Sequence, residues 1–375
     1  MPRGWPQTAA CAVLRRWSRG AQDKPVIGPV LGDVGHPASS AGAGPVQPRR
    51  NVLAGLGSLG LALCGLPGSS QAQLGDYQDE TWTDAARSRA VPVRIRIPAS
   101  PGPWPAVLFS HGLGGSRSGA DVWGRAWQAA GLLVLHLQHA GSDIDVARVG
   151  GMTALRRAGT AEQLLARVAD VGFVLDEILR RHAADLPIWS AVQAERMGMA
   201  GHSFGAQTVQ ALAGQRYPVP GSWREPRLAA FLALSCRPSS ASSLSLREQF
   251  DSIDRPFLAA TGSLDGDPLG GALTGASRAS VYDGLPPGQR ALLWLEDADH
   301  MSFAGNASPR INGRGGVERA AQAWALEARH HEVVAEVTTL WWQSALSVSA
   351  EGRSRAAADL RRVSLASAGD RLRLG

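Results

Sequence analysis

The stretch MGMAGHSFGAQTVQALAG, residues 197–214, sets one serine between two glycines, after a short apolar run and ahead of a helical one. Gly201-His202-Ser203-Phe204-Gly205 therefore occupies the strand-to-helix turn that a nucleophile elbow requires. Its glycines let strand and helix approach closely, while the serine is driven into a strained backbone conformation with its hydroxyl exposed above the sheet. The N-terminus of the helix behind it favours developing negative charge. The five-residue pattern is weak alone, because it arises by chance in glycine-rich chains, and this one has 44 glycines. Its strand–turn–helix setting is what makes Ser203 a candidate nucleophile.

Outward from this stretch the chain alternates strand and helix patterns. VPVRIRIP (91–98) alternates like a strand with one buried face, and PAVLFSHGLGG (105–115) is a continuous apolar run ending in glycines, as for a central strand covered on both faces. DVWGRAWQAAG reads as a helix, LLVLHLQH as another buried strand, and 161–181 as a long helix with Leu164, Val168, Val171, Leu175 and Ile178 on one face. RMGMAG, LAAFLALSC, PFLAATG and ALLWLED are further short apolar runs, and 317–340 reads as a late helix. Such alternation predicts an α/β fold with a mostly parallel sheet and helices on both faces. Chemistry in such sheets gathers at the carboxyl ends of the strands.

A serine nucleophile needs a base, and the order serine, acid, histidine restricts the choice to residues beyond 203. His300, in DADHMSF directly after the strand ALLWLED, is placed to hang over Ser203. His330 and His331 fall in a helical run and read as a solvated helix face. The orienting acid should follow a strand between the two, and PFLAATGSLDGDP offers Asp265 and Asp267. Asp265 falls directly above the expected carboxyl edge. Asp267 is the alternative acid, one step further out and before Pro268, which biases its backbone toward an extended form leading away. One of the two is expected to serve only the turn. Two backbone N–H groups should form the oxyanion hole: Phe204, next to the nucleophile, and a residue of the Ser110-His111-Gly112-Leu113-Gly114-Gly115 turn, most simply Leu113. Asp143 and Asp145, in GSDID, read as solvated loop residues.

With 375 residues, 44% of them hydrophobic, the chain can bury a large core and is neither disordered nor fibrous. Its pI of about 10.0 and formal charge of +6 invite a nucleic-acid reading. The excess, however, sits at the front: residues 1–72 hold seven Lys/Arg against two Asp/Glu, leaving 31 against 30 beyond. No nucleic-acid face is implied. Lys24 is the only lysine, a bias that reads as genome composition. Of three cysteines only Cys236 lies past residue 72, which excludes a disulfide framework for the body. No metal site or cofactor motif is expected.

PRRNVLAGLGSLGLALCGLPGSSQAQ, from residue 48, places Arg49 and Arg50 ahead of an uncharged apolar run too short for a comfortable membrane span. Ser70 and Ala72 close it with small residues. It resembles a twin-arginine export signal, 49–72, cleaved after Ala72, which leaves no stable membrane insertion. That route carries folded proteins, in keeping with the lack of structural disulfides. Leu63 before Cys64 argues against lipidation. Residues 1–48 read as low-complexity, non-structural sequence or as the product of a mis-assigned start, 73–90 as a linker, and 91–375 as the α/β-hydrolase domain.

FSHGLGGSR, HLQHAGSD, GMAGHSFGAQT, TGSLDGDP and LEDADHMSFAG, in that order, resemble the serine α/β-hydrolases related to platelet-activating-factor acetylhydrolase and to bacterial predicted dienelactone hydrolases. The resemblance covers roughly residue 91 to the C-terminus. It implies the α/β-hydrolase fold, cofactor-free carboxylester hydrolysis, oxyanion donors at Leu113 and Phe204, and an acid at Asp265. Two departures stand out: dienelactone hydrolases carry a cysteine where this chain has Ser203, and LALSCRPSS lacks the carboxylate some relatives place there. The expectation is an exported, acetylhydrolase-like serine esterase acting on a small-molecule or lipid ester of short acyl chain. A lipase, polyesterase or amidase with the same triad, or a non-catalytic hydrolase-like binding protein, are the rival readings.

Overall fold

The uninterrupted apolar run before His111 forms the centre of a nine-stranded sheet in a computed structural model that describes residues 77–375, apart from 219–220, 240–242, 269, 307–318 and 366. The export signal, Arg49, Arg50, Ala72 and residues 1–48 lie outside the described residues. In chain order the strands are β1 (Gln78–Asp84), β2 (Arg89–Arg96), β3 (Trp104–Ser110), β4 (Leu133–Leu137), β5 (Val192–His202), β6 (Leu228–Leu234), β7 (Phe257–Leu264), β8 (Arg290–Asp299) and β9 (Arg371–Leu374). Their spatial order is β1-β2-β4-β3-β5-β6-β7-β8-β9. Strands β4, β3, β5, β6, β7 and β8 run parallel, and β1, β2 and β9 add antiparallel pairs at the two ends.

Helices fill the crossovers: α1 (Asp121–Ala129), α2 (Ile144–Arg157), α3 (Ala161–Ala183), α4 (Phe204–Ala213), α5 (Leu246–Phe250), α6 (Gly275–Gly284), α7 (Ala321–Ala325), α8 (Glu327–Leu346) and α9 (Ala350–Leu360). The period of two along β3 sends Ala106 and Leu108 to one face of the sheet and Val107 and Phe109 to the other. The first face packs on Val171, Leu175 and Ile178 of α3, Val209 and Leu212 of α4, and Val281 of α6. The second packs on Trp123 and Trp127 of α1 and on Val334, Trp341 and Trp342 of α8. Both faces of the parallel strands are thus covered, which is why those strands read as continuous apolar runs. Trp127 ties α1 to α8 by donating to Thr338 Oγ1 at 3.0 Å and meeting the Trp342 ring edge-on at 5.9 Å.

The α/β class and the mostly parallel, doubly covered sheet are as expected. Three local readings differ. The stretch 73–90 is not a linker throughout, since β1 lies in it, buries Trp82 and pairs with β2 from Gln78 to Asp84. The late helix is interrupted at Leu326, whose φ of −101° and ψ of 2° separate α7 from α8. Four residues with two arginines, RLRL, gave no strand signal, yet they pair with Ala291–Trp294 as β9.

Candidate active site

Ser203 stands between the last residue of β5 and the first of α4 with φ 57° and ψ −113°, a backbone conformation that side-chain-bearing residues avoid. Strain of this kind is of order 1–3 kcal/mol and persists only where the surroundings over-determine it. Here Ser203 N–H donates to Leu234 O of β6 at 2.9 Å, and Gln207 N–H of α4 donates back to Ser203 O at 3.2 Å. Neither flanking glycine has room for a methyl group. A Cβ on Gly205 would lie 1.9 Å from Ser110 O, and one on Gly201 would lie 2.4 Å from Gly205 O. The pattern glycine-x-serine-x-glycine is therefore a statement about backbone contact between α4, β5 and the end of β3.

Strand register assembles the rest. Beyond a shift after Gly262, the β7–β8 pairing resumes with Leu264 opposite Asp299, so the next residue of each strand, Asp265 and His300, lie side by side. His300 Nδ1–H donates to Asp265 Oδ1 at 2.8 Å, and His300 Nε2 lies 2.8 Å from Ser203 Oγ, placed to accept its proton. Asp265 is fully buried and His300 8% exposed, so this hydrogen-bonded line is shielded from water except near the serine. Asp267 is not part of it. It closes the next turn, where Gly270 N–H donates to its carbonyl at 3.1 Å and its Oδ2 would lie 2.1 Å from a Cβ on Gly271.

Each member is held from behind. Burial alone would raise the Asp265 carboxyl, but the hydrogen bond from His300, then the charges of His300 and Arg278, outweigh it and hold it below its ordinary value. Its second oxygen accepts from Thr261 Oγ1 at 2.8 Å. Arg278 of α6 approaches Oδ1 at 3.0 Å and also donates to the carbonyls of Ser235, Asp265 and Gly266, joining the ends of β6 and β7. His300 begins a short 3-10 turn, His300–Phe303, capped by the Asp299 carboxylate, which accepts from Ser302 N–H at 2.9 Å and pairs with Arg319 at 2.8 Å. His202, beside the serine, donates from Nε2 to His300 O at 2.9 Å. Burial pulls its pKa down to about 3, so it stays a neutral donor.

The turn after β3 reaches the same place because Ser110 pairs with Gly201. A Cβ on Gly112 would stand 3.4 Å from Ser203 Cβ, so the turn runs past the serine in contact. Gly114 N–H is taken by Ser142 O at 2.9 Å and Gly115 N–H by Gly112 O at 3.0 Å, whereas among the described residues the N–H groups of Leu113 and Phe204 meet no acceptor. Phe204, at the first helical position, has none by construction.

Two sequence readings are corrected here. His330 is not on a solvated face: it is 4% exposed, and its Nε2 donates to Glu296 O at 3.0 Å, while His331 sets its ring edge-on against Trp123. Asp143 is likewise buried, accepting from Gln138 Nε2 at 2.9 Å at the start of α2, whereas Asp145 is exposed. Residues with no sequence motif also surround the site, above all Arg278, Arg167 and Asp170. Their only advance signal is a charged residue on the apolar face of a predicted helix, as with Arg167 and Asp170 flanking Val168 and Val171 in α3.

Among the described residues no group of three or more His, Cys, Asp or Glu is arranged to hold a metal ion, and no helix is long and apolar enough to cross a membrane. No family model and no curated protein matches the chain. Among solved structures it is similar to the crystal structure of the 2,6-dihydroxy-pseudo-oxynicotine hydrolase, with 16% identity and a TM-score of 0.41 over 68% of this chain and 67% of that one.

Proposed function

We propose that the protein is a serine hydrolase of the α/β-hydrolase fold that cleaves carboxylic esters through an acyl-enzyme. One observation carries this reading: Ser203 Oγ, on a strained turn at a helix N-terminus, stands 2.8 Å from a histidine whose other nitrogen is 2.8 Å from a buried carboxylate. In the proposed reaction Ser203 Oγ attacks the ester carbonyl carbon and its proton passes to His300 Nε2. Asp265 keeps the Nδ1–H tautomer in place and stabilises the imidazolium. The former carbonyl oxygen, now an anion, takes hydrogen bonds from the Leu113 and Phe204 amides, which have no competing acceptor among the described residues. Collapse expels the alcohol with the proton from His300. A water then gives a proton to His300 and attacks the acyl carbon, and as the acyl–Oγ bond breaks to release the acid, His300 returns that proton to Ser203 Oγ.

The family resemblance of the five ordered motifs supports a short acyl chain, as in acetylhydrolases, on a small-molecule or lipid ester. The segment 49–72 supports export to the periplasm or medium, with maturation after Ala72. The test is reaction of the purified protein with a fluorophosphonate probe, alongside hydrolysis of p-nitrophenyl esters from acetyl upward. Labelling that disappears in Ser203→Ala, with turnover lower by about 10⁴-fold or more in that folded variant, is the expected result. A folded wild-type protein that neither labels nor turns over would instead be a binding protein built on the same scaffold.

A further inference from the structure

Beneath the turn that carries Leu113 lies a second chain of the same residue types, which the proposed reaction does not use. Ser110 Oγ donates to His139 Nε2 at 3.0 Å, and His139 Nδ1–H donates to Asp170 Oδ2 at 3.0 Å. All three are fully buried, so no substrate reaches Ser110. Asp170 is also gripped by Arg89 at 2.6 Å and Arg87 at 2.9 Å. Burial would raise its carboxyl, but the hydrogen bonds from His139 and Arg89 bring it down to about 2, and it remains an anion. Burial drives His139 down to about 4 against the pull of Asp170, and it remains neutral. Geometry and protonation thus leave a static chain, anchored at the Asp170 end and handing its Ser110 oxygen to one more neighbour.

That neighbour is Arg167, also fully buried. Its guanidinium donates to His111 O at 2.6 Å, Ser142 Oγ at 2.9 Å, Ser110 Oγ at 3.3 Å and Ser142 O at 3.3 Å. Every one of these acceptors is neutral. Among the described residues no carboxylate lies within ion-pair distance of it: Asp170 and Asp143 attract it only from further off, and Asp170 is engaged by Arg87, Arg89 and His139. A buried cation without a directly paired anion is expensive, and strongly perturbed ionisable groups of this kind cluster at functional sites. Burial lowers its pKa to about 9, which still leaves it charged at neutral pH. The segments it holds are the two that set the turn: 110–111 leads directly into Gly112 and Leu113, and Ser142 O receives Gly114 N–H. The guanidinium also lies over the Phe204 ring, 4.4 Å from its centroid.

We propose that Arg167 is a positioning residue for the oxyanion hole, locking the 110–115 turn against α4 and placing a buried cation without a direct carboxylate partner beneath the turn that carries Leu113 and over the Phe204 ring, on the side of the site where negative charge develops. The proposal rests on Ser203 being the nucleophile. It assigns the Ser110–His139–Asp170 chain the task of fixing the Ser110 oxygen that receives Arg167, so that the guanidinium has one orientation. A cation placed this way stabilises the tetrahedral oxyanion more than the neutral bound ester, so its removal should act on kcat rather than KM.

The experiment compares the full-length wild type with Arg167→Met, Arg167→Lys and Ser110→Ala. It measures kcat and KM on p-nitrophenyl acetate and affinity for an alkyl trifluoromethyl ketone, whose adduct with Ser203 carries the oxyanion. Arg167→Met should lower kcat by on the order of 10- to 10²-fold, weaken the ketone by a similar factor and leave KM within about threefold. Arg167→Lys, which keeps the charge but cannot span the same acceptors, should recover part of both losses. Ser110→Ala should show a smaller loss of the same kind. A folded Arg167→Met with unchanged ketone affinity overturns the proposal, whatever its kcat. Should the Met variant fail to fold, unchanged ketone affinity in both Arg167→Lys and Ser110→Ala overturns it equally, and a matched loss in either supports it. A wild type that neither labels nor hydrolyses overturns the serine mechanism itself, and this proposal with it.

Discussion

Gly205→Ala is the substitution whose effect the structure determines most directly. The added Cβ would sit 1.9 Å from Ser110 O and 2.9 Å from His111 O, both backbone atoms in the tightest part of the site. No rotamer change can relieve a clash between a Cβ and a carbonyl. To reach even 3.0 Å, the lower limit of real Cβ contacts, α4 and the turn after β3 must separate by at least 1.1 Å. Those are the two elements that carry the Phe204 and Leu113 amides, so the donors would move apart by about the displacement that costs on the order of 10²-fold when reacting groups are misplaced by roughly 1 Å. Overpacking adds a stability loss of about 1–3 kcal/mol, which lowers Tm but should leave a folded protein. The assay is kcat and KM on p-nitrophenyl acetate, with fluorophosphonate labelling rate and near-ultraviolet circular dichroism as controls. The expected result is a folded variant slower by about 10²-fold in kcat with KM changed far less. Turnover within threefold of wild type would mean that the two elements can part without disturbing the chemistry, and would refute a hole shared between them.

Three further outcomes are expected. Asp265→Asn should lower turnover by on the order of 10²- to 10⁴-fold by favouring the wrong imidazole tautomer, while Asp267→Asn, in the neighbouring turn, should be mild; the reverse ranking in folded variants would remove Asp265 from the mechanism. The buried histidines His111, His136, His139 and His202 are all held neutral by burial, the last three at about 3 to 4, against about 6.5 when unfolded. Because the unfolded chain then binds more protons, stability is fully present above pH 6.5 and falls as pH drops toward 4, by up to about 5 kcal/mol per pH unit for four groups. Urea midpoints measured from pH 7 to 5 should decline steeply, and a flat profile would contradict the burial of these rings. Finally, exported protein should begin near Gln73 by mass spectrometry, and replacing Arg49 and Arg50 by lysine should block export; an active cytoplasmic form that starts at Met1 would refute the signal.

Much of the fold was legible because its signals are local. A short apolar run such as 105–110, closed by glycines, fits a strand buried on both faces, and its alternation with helical periods around 121–129 and 161–183 points to a parallel sheet with crossovers. The elbow was legible for the same reason: glycines flanking Ser203 report a backbone contact that chain-local spacing encodes. What failed locally was weakly patterned, as with β9, whose RLRL becomes a strand only because β8 offers an open edge. Tertiary structure alone decided the rest. The sequence favours Asp265 over Asp267 by its place above the expected strand end, but the register that lays Leu264 opposite Asp299, and so Asp265 beside His300, has no trace in composition. Likewise, nothing around Arg167 or Asp170 in α3 announces that a helix nearly 60 residues from Ser110 folds its charges under the turn after β3. Side chains three apart on one helix face are visible in sequence, but which buried carbonyls they meet depends on how the helix is laid against the sheet.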